Sequence, residues 1–414
     1  MKILRTKLLL TASVCGVLFL PADLNAQTSA QQFTVVPVAA ENGTYSIEPA
    51  LPEDGKVAAG TVFTLKATPA ADYALDAVYY TIKGGMWGTT NHESFSPKMK
   101  ITVNSDMKVG ATFIPQSLVN GIEVTPNVVY AKPGIKPLKY DVYAPKGAKN
   151  LPCIVIIHGG GWASNNEDIM RGLALELVKG GRYVVFSIDY RWINKLDGEA
   201  QPVYMHNLIE DVFGAIAHIQ QYAAKYGADG SRMGVTGDSA GGHLAEAAAT
   251  LSPMIGDKGF GLTDGIYNYM PSYLPKGKTV AAVRMQIVSA IKAVAPSYGV
   301  SEAADFGGLI QQKDKGYWDA ISPARHVPNA AERQLPHFLV RGTKDPIVSN
   351  AMVQHYVDAL NSAGQKAEYI QVEGAGHAFF DWKPDATTRA TFHQYGVPYA
   401  AKMLSFFDGV FYKN

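Results

Sequence analysis

Two grammars of apolar and polar positions follow one another along the chain. From Phe33 to about Phe113, short runs alternate apolar and polar residues with a period of two, as half-buried strands do. The alternation predicts strands over 34–38, 61–67, 75–82, 100–103 and 108–113. Turn-forming clusters separate them, among them Glu41-Asn42-Gly43 and Pro52-Glu53-Asp54-Gly55. Residues 33–115 therefore read as a small all-β domain. Residues 114–139 form a Pro-, Gly- and Asn-rich connection or an entry strand. Beyond it, 116–414 reads as an α/β domain, because its apolar runs become continuous: 153–157, 183–188, 233–236, 293–295, 338–340 and 367–371. Helical patterns lie between them at 204–226, 243–251 and 350–362. Continuous apolar strands alternating with helices imply a parallel sheet covered on both faces, with reactive loops at the carboxyl ends of its strands.

The first 26 residues have another layout. Lys2, Arg5 and Lys7 precede an apolar stretch from Leu8 to Leu20, and Ala26 ends a short polar segment. This is the pattern of a secretory signal peptide, too short in its apolar part for the roughly 20 residues of a membrane span. A periplasmic or extracellular protein is expected. Only Cys15 and Cys153 occur, so no disulfide framework is available. With 37 basic and 36 acidic side chains, the chain has no basic field to hold nucleic acid. No ligand cluster points to a metal or an organic cofactor.

Candidate chemistry gathers in two turns of the α/β region. Gly237-Asp238-Ser239-Ala240-Gly241-Gly242 lies between the strand at 233–236 and the helix at 243–251. A G-x-S-x-G run in strand–turn–helix context lifts its serine above the sheet edge at a helix amino end. His158-Gly159-Gly160-Gly161-Trp162 follows the strand at 153–157. Consecutive glycines leave backbone N–H groups unshielded, as an acyl-transfer enzyme needs opposite a tetrahedral oxyanion. Gly160, Gly161 and Ala240 are the candidate donors. The spacing lacks the Lys-Ser/Thr of a phosphate loop, and His158 reads as a packing residue. The β domain carries one histidine, His92, and no paired carboxylates on a strand face. It reads as a spacer, or as a carbohydrate-binding module using Tyr79, Tyr80 and Trp87. A chain beginning near Leu118 is accordingly expected to fold alone.

Together with Gly342-Thr343-Lys344-Asp345-Pro346 and Gly374-Ala375-Gly376-His377, these motifs resemble the α/β-hydrolase superfamily. Within it they resemble the hormone-sensitive-lipase-like esterases, closest to Bacteroidetes feruloyl and acetyl-xylan esterases. The likeness runs from roughly Val124 to the end. The β region is similar, in patterning, to single repeat units of bacterial surface proteins. The resemblance implies an α/β-hydrolase sheet with helices on both faces and the chain order Ser, Asp, His. Ser239, Asp345 and His377 then form the triad, since Asp381 and Asp385 follow His377 too closely. Topology brings the loops 158–168, 189–203, 296–320 and 374–390 to the same edge. Trp162, Tyr190, Trp192, Tyr298, Phe379 and Trp382 on those loops are expected to line the substrate pocket. Segment 252–291 reads as an irregular insertion, a domain contact or a lid. The expected function is a secreted serine esterase that removes feruloyl or acetyl esters from plant-wall polysaccharide. A serine peptidase on this fold and a non-catalytic glycan-binding protein are the alternatives.

Overall fold

The computed structural model describes residues 31–84 and 88–412, so the expected signal segment and Trp87 lie outside the described residues. The first region is built of eight strands: β1 (Gln32–Pro37), β2 (Gly43–Glu48), β3 (Lys56–Ala58), β4 (Val62–Pro69), β5 (Tyr73–Lys83), β6 (Thr89–Ser94), β7 (Lys98–Thr102) and β8 (Met107–Pro115). They form a five-stranded sheet in the order β3-β1-β8-β5-β6 and a three-stranded sheet in the order β2-β4-β7. Alternate side chains close the space between them. In β4, Phe63, Leu65 and Ala67 are buried while Thr64 and Lys66 are half-buried, and Val35, Val78, Ile101 and Val109 join the same core.

The second region begins with β9 (Ile122–Ala131), β10 (Leu138–Pro145) and β11 (Leu151–Ile157), followed by α1 (Arg171–Val178), β12 (Val184–Ile188), α2 (Met205–Tyr222) and β13 (Ala228–Asp238). Then come α3 (Ala240–Thr250), α4 (Val280–Ala290), β14 (Ile291–Ser297), α5 (Lys315–Ala320), β15 (His337–Gly342), α6 (Asn350–Ser362) and β16 (Ala367–Val372). The helices α7 (Ala386–Thr391) and α8 (Val397–Phe411) end the chain. The eight strands pair in the order β16-β15-β14-β13-β11-β12-β10-β9. Strands β11 to β16 run parallel, and the 122–145 segment adds β9 and β10 as an antiparallel edge. Residues 152–157 of β11 are buried without interruption, as two covered faces require. Helices α1 and α8 pack together over β12, β14 and β15, and α2, α3 and α4 pack around β13. This is an α/β-hydrolase sheet preceded by a small all-β domain.

The two domains share a buried contact that the sequence reading does not anticipate. Asp76, on β5, is 1% exposed. It accepts from Arg171 Nε at 2.6 Å, Thr112 Oγ1 at 2.9 Å and Trp382 Nε1 at 3.2 Å, and also from Arg389. Glu93 of β6 meets Arg171 Nη2 at 2.7 Å. Ile114, at the end of β8, belongs to the core of the α/β domain, and Ala74 and Phe95 pack against it. These contacts argue against the expectation that a chain beginning near Leu118 folds alone. Segment 252–291, by contrast, ties itself to the α/β domain. Tyr269 donates to Ala320 O, Met270 N to Glu210 Oε1, and Thr263 to Asp314.

Candidate active site

The turn after β13 is tight because a helix must start almost on top of a strand end. A Cβ at position 241 would sit 2.0 Å from Ile157 O, and one at position 237 would sit 2.3 Å from Gly241 O. Only glycine fits these two places. Between them Ser239 adopts φ 53, ψ −118, a conformation that side chains seldom take, and it caps the amino end of α3. Its backbone N–H donates to Ser297 O at 2.9 Å, which fixes the turn against β14. Ser239 remains half-exposed at the sheet edge.

The loops after β15 and β16 bring the partners. His377 Nε2 lies 2.8 Å from Ser239 Oγ, and His377 Nδ1 lies 2.7 Å from Asp345 Oδ2. The other oxygen of Asp345 accepts from the backbone N–H groups of Ile347 and Val348 at 2.8 and 2.9 Å. Burial pushes the Asp345 carboxyl upward, but the His377 contact and these N–H groups outweigh it, so its pKa is lowered. The carboxylate therefore stays ionised and can hold one imidazole tautomer.

The oxyanion candidates stand beside the serine. Gly160 has φ 123 and Gly161 φ 62, and among the described residues neither N–H donates to a protein acceptor. Ala240 is the first residue of α3, where helix N–H groups lack intrahelical partners. Asp238 anchors the glycine loop by accepting from Gly159 N at 2.6 Å. Burial, with Asp381 nearby, pushes the Asp238 carboxyl up to about 7. His158 is fully buried, stacks on Tyr190 at 4.2 Å and contacts Asp189 Oδ1 at 3.4 Å.

Most of the expected aromatic lining is elsewhere. Tyr190 is fully buried and donates to His158 O. Trp162 is buried against Phe306, with its indole N–H on His243 Nδ1 at 3.2 Å. Tyr298 is buried with its ring 4.9 Å from that of His377, and its hydroxyl accepts from Phe380 N. Phe379 is fully buried beside Tyr298. Trp382 lies in the domain contact on Asp76. These five do not form a pocket wall. Trp162 and Tyr298 both have positive φ, 58 and 38, and their polar atoms are used inside the protein, on His243 and on Phe380 N. Trp192 alone stays half-exposed. Its Nε1 donates to Asn165 O at 3.0 Å, and Lys136 Nζ lies 5.1 Å from its ring centre.

Sequence spacing also missed groups that folding brings together. Carboxylate oxygens of Asp141 on β10 and of Glu167 and Asp168 in the segment between β11 and α1 approach within 4.8 Å of one another, all three residues buried. A cation could bridge them, although Lys139 already meets Glu167 Oε1 at 2.9 Å. Asn165, with φ 68, extends the glycine loop and donates to Gly159 O at 3.4 Å. The Asp238 position could have been read from the motif, whereas the acidic trio has no local signature.

Comparison with known proteins adds to this geometry. A profile of the BD-FAE family matches residues 140–360, a little over half of the chain. The chain is similar to carboxylesterase NlhH of Mycobacterium tuberculosis, 33% identical over 124 residues, 30% of this chain and 37% of that protein. It is also similar to esterase LipQ of the same organism, 27% identical over 271 residues, 57% of this chain and 56% of that one. The chain thus spans about a third to a little over half the length of these curated relatives. Among solved structures it resembles a truncated form of a carbohydrate esterase from gut microbiota, with a TM-score of 0.52 and 26% identity, covering 69% of this chain and 95% of that one. Thermogutta terrifontis esterase 2 with butyrate bound shares the fold at a TM-score of 0.51 and 23% identity, over 71% and 97% of the two chains.

Proposed function

The chain belongs to the BD-FAE family, and from that premise we propose that it is a serine carboxylic-ester hydrolase acting on esters carried by polysaccharide. The observation that carries this reading is the continuous relay from Ser239 Oγ through His377 to Asp345, with links of 2.8 and 2.7 Å. Ser239 Oγ attacks the ester carbonyl carbon while His377 Nε2 takes its proton. The C–O double bond becomes an oxyanion, held by the N–H groups of Gly160, Gly161 and Ala240. Each such donor contributes roughly 3–4 kcal/mol to the transition state. His377 then gives its proton to the leaving alcohol, the ester bond breaks, and an acyl-enzyme remains. Water, deprotonated by the same imidazole, releases the acid and restores Ser239. Asp345 stabilises the imidazolium in both halves without taking the proton.

The likeness to a carbohydrate esterase supports a sugar-borne ester as substrate. Feruloyl and acetyl groups on xylan-type chains are the acyl groups proposed, and export through the segment 1–26 is the proposed route to them. Turnover of p-nitrophenyl acetate, set against a peptide amide, tests the reaction class. Hydrolysis of the amide alone would favour a peptidase, and inactivity on both would favour a binding protein. Product analysis on acetylated and feruloylated arabinoxylan tests the acyl group. Release of neither acid, by a chain active on p-nitrophenyl acetate, would refute the substrate.

A further inference from the structure

The β domain rests on the edge of the sheet where the relay lies. Strand β6, the outer strand of its sheet, pairs only with β5. With Ser164, Asn165, Trp192 and Lys383, the residues 89–93 of β6 enclose a cavity of about 350 Å3. A second cavity of about 640 Å3 shares Thr89, Asn91 and Lys383 with it and continues between β5, β8 and α7. The two adjoin at these three residues and together mark an interdomain cleft. Its near walls continue the loops that hold the site: 164–166 extends the glycine loop, and Lys383 lies six residues past His377. The Asn165 side-chain amide contacts Gly159 O directly.

The charges that line the smaller cavity are paired with one another or with neighbours. Lys136 is paired with Asp189 at 3.0 Å, Lys139 with Glu167 at 2.9 Å, and Lys383 with Asp381 at 3.0 Å. Glu93 is paired with Arg171, and burial lowers the pKa of His92. Among the described residues, each lysine lining the cavity is thus ion-paired, and none is spare to hold a phosphate or a uronate. What remains to meet a ligand is hydroxyl and amide: the Thr89 hydroxyl, the Nδ2 of Asn91, whose Oδ1 accepts from Thr81 Oγ1 at 2.7 Å, and the Oδ1 of Asn165, beside the half-exposed Trp192 ring. The ring is held by its Nε1 on Asn165 O, and the backbone that carries it by its N–H on Asp197 Oδ2 at 2.7 Å. Hydroxyl and amide groups next to one aromatic ring suit a sugar chain, which presents hydroxyls at its rim and an apolar face to a ring. The cavity size falls in the usual range for small-molecule sites.

We propose that this interdomain cleft binds the neutral sugar chain of the ester substrate, with β6 as its far wall, so that the β domain determines which glycan reaches Ser239. The inference rests on the carbohydrate-ester reading above and deepens it. Full-length Asn91→Ala and Thr89→Trp test it, the first removing an amide and the second filling the cleft. The kcat/KM for an acetylated xylo-oligosaccharide, divided by that for p-nitrophenyl acetate, should fall about tenfold or more in each, the scale of one or two lost hydrogen bonds. Calorimetry with unesterified xylohexaose and mannohexaose reads the cleft without any reaction. At least one should bind the parent chain, and Asn91→Ala should weaken that binding by a similar factor. An unchanged ratio in both variants, or no binding of either hexaose, overturns the cleft. A parent chain that binds a hexaose but leaves p-nitrophenyl acetate intact overturns the esterase reading instead.

Discussion

Replacing Asp76 with alanine removes one carboxylate and strands two guanidinium groups. Arg171, 2% exposed, would keep only Glu93 as a counter-charge, and Arg389 would lose its carboxylate. Removing one partner of a buried ion pair costs about 3–5 kcal/mol, because the remaining charge is left desolvated. With an unfolding entropy of roughly 2 cal/mol/K per residue over about 400 residues, that loss corresponds to a melting point lower by ~5 °C. Asp76→Asn should recover little, since its amide N–H groups would face other donors. The pH dependence gives an independent check. Burial raises the Asp76 pKa, but the two arginines and the hydrogen bonds of Arg171 and Thr112 outweigh it and hold the carboxyl at about 2. Its contribution is therefore complete above the unfolded value near 4 and fades as pH falls towards 2. The melting-point gap between parent and Asp76→Ala, followed by circular dichroism, should be smaller at pH 3 than at pH 5. Equal melting points at pH 7, or a gap undiminished at pH 3, would refute the reasoning. A chain beginning at Leu118 loses Asp76, Glu93, Thr112 and Ile114 together. It should be recovered aggregated, and a soluble, fully active product would show that the contact is dispensable.

Ser239→Ala and His377→Ala should each lower kcat on p-nitrophenyl acetate by several orders of magnitude, and Asp345→Asn by roughly 10^4-fold, with melting points near that of the parent. If Asp345→Asn keeps its rate while Asp381→Asn loses it, the acid is misassigned. Ser239→Gly relieves φ 53, ψ −118, and since such strain costs of order 1–3 kcal/mol it should raise the melting point while abolishing turnover. A lower melting point would mean that the turn is unstrained. Burial pushes Glu93, Asp141, Glu210 and Asp238 up to about 7. Each of these four carboxyls thus contributes stability that is complete below about pH 4 and is lost as pH rises towards 7, whereas His206, His218 and His243, lowered by burial to about 4, act in the opposite sense. Glu210→Gln should therefore flatten the fall of the denaturant midpoint between pH 5 and 7 relative to the parent, and an identical pH profile would contradict the shift at Glu210.

The chemistry is legible in the sequence because each reactive residue sits where a local rule applies. Ser239, Asp345 and His377 all follow short continuous apolar runs, and Gly237 and Gly241 mark a turn where a Cβ cannot fit. Helix α6 is legible for the same reason, since Ser349 caps it through Met352 N. The aromatic residues show where such rules stop. A loop's position at the sheet edge says nothing about which way its side chains face, and the burial of Trp162 and Tyr298 is decided only in the folded chain. The domain contact is further out of reach, because Asp76 meets Arg171 and Arg389 from 95 and 313 residues away. Even so, one trace of it exists. The run Tyr73–Lys83 is rich in aromatic and β-branched residues, and Asp76 is among the residue types that strands disfavour. Period-two alternation would expose one face of such a strand, yet Asp76, Ala77, Val78 and Tyr79 are all buried. One face meets the β-domain core and the other meets the second domain. A charged residue that breaks the pattern of a strand buried on both sides must have its counter-charge elsewhere in the chain. Arg171 is the residue that supplies it, and the β domain is held against the active edge as a result.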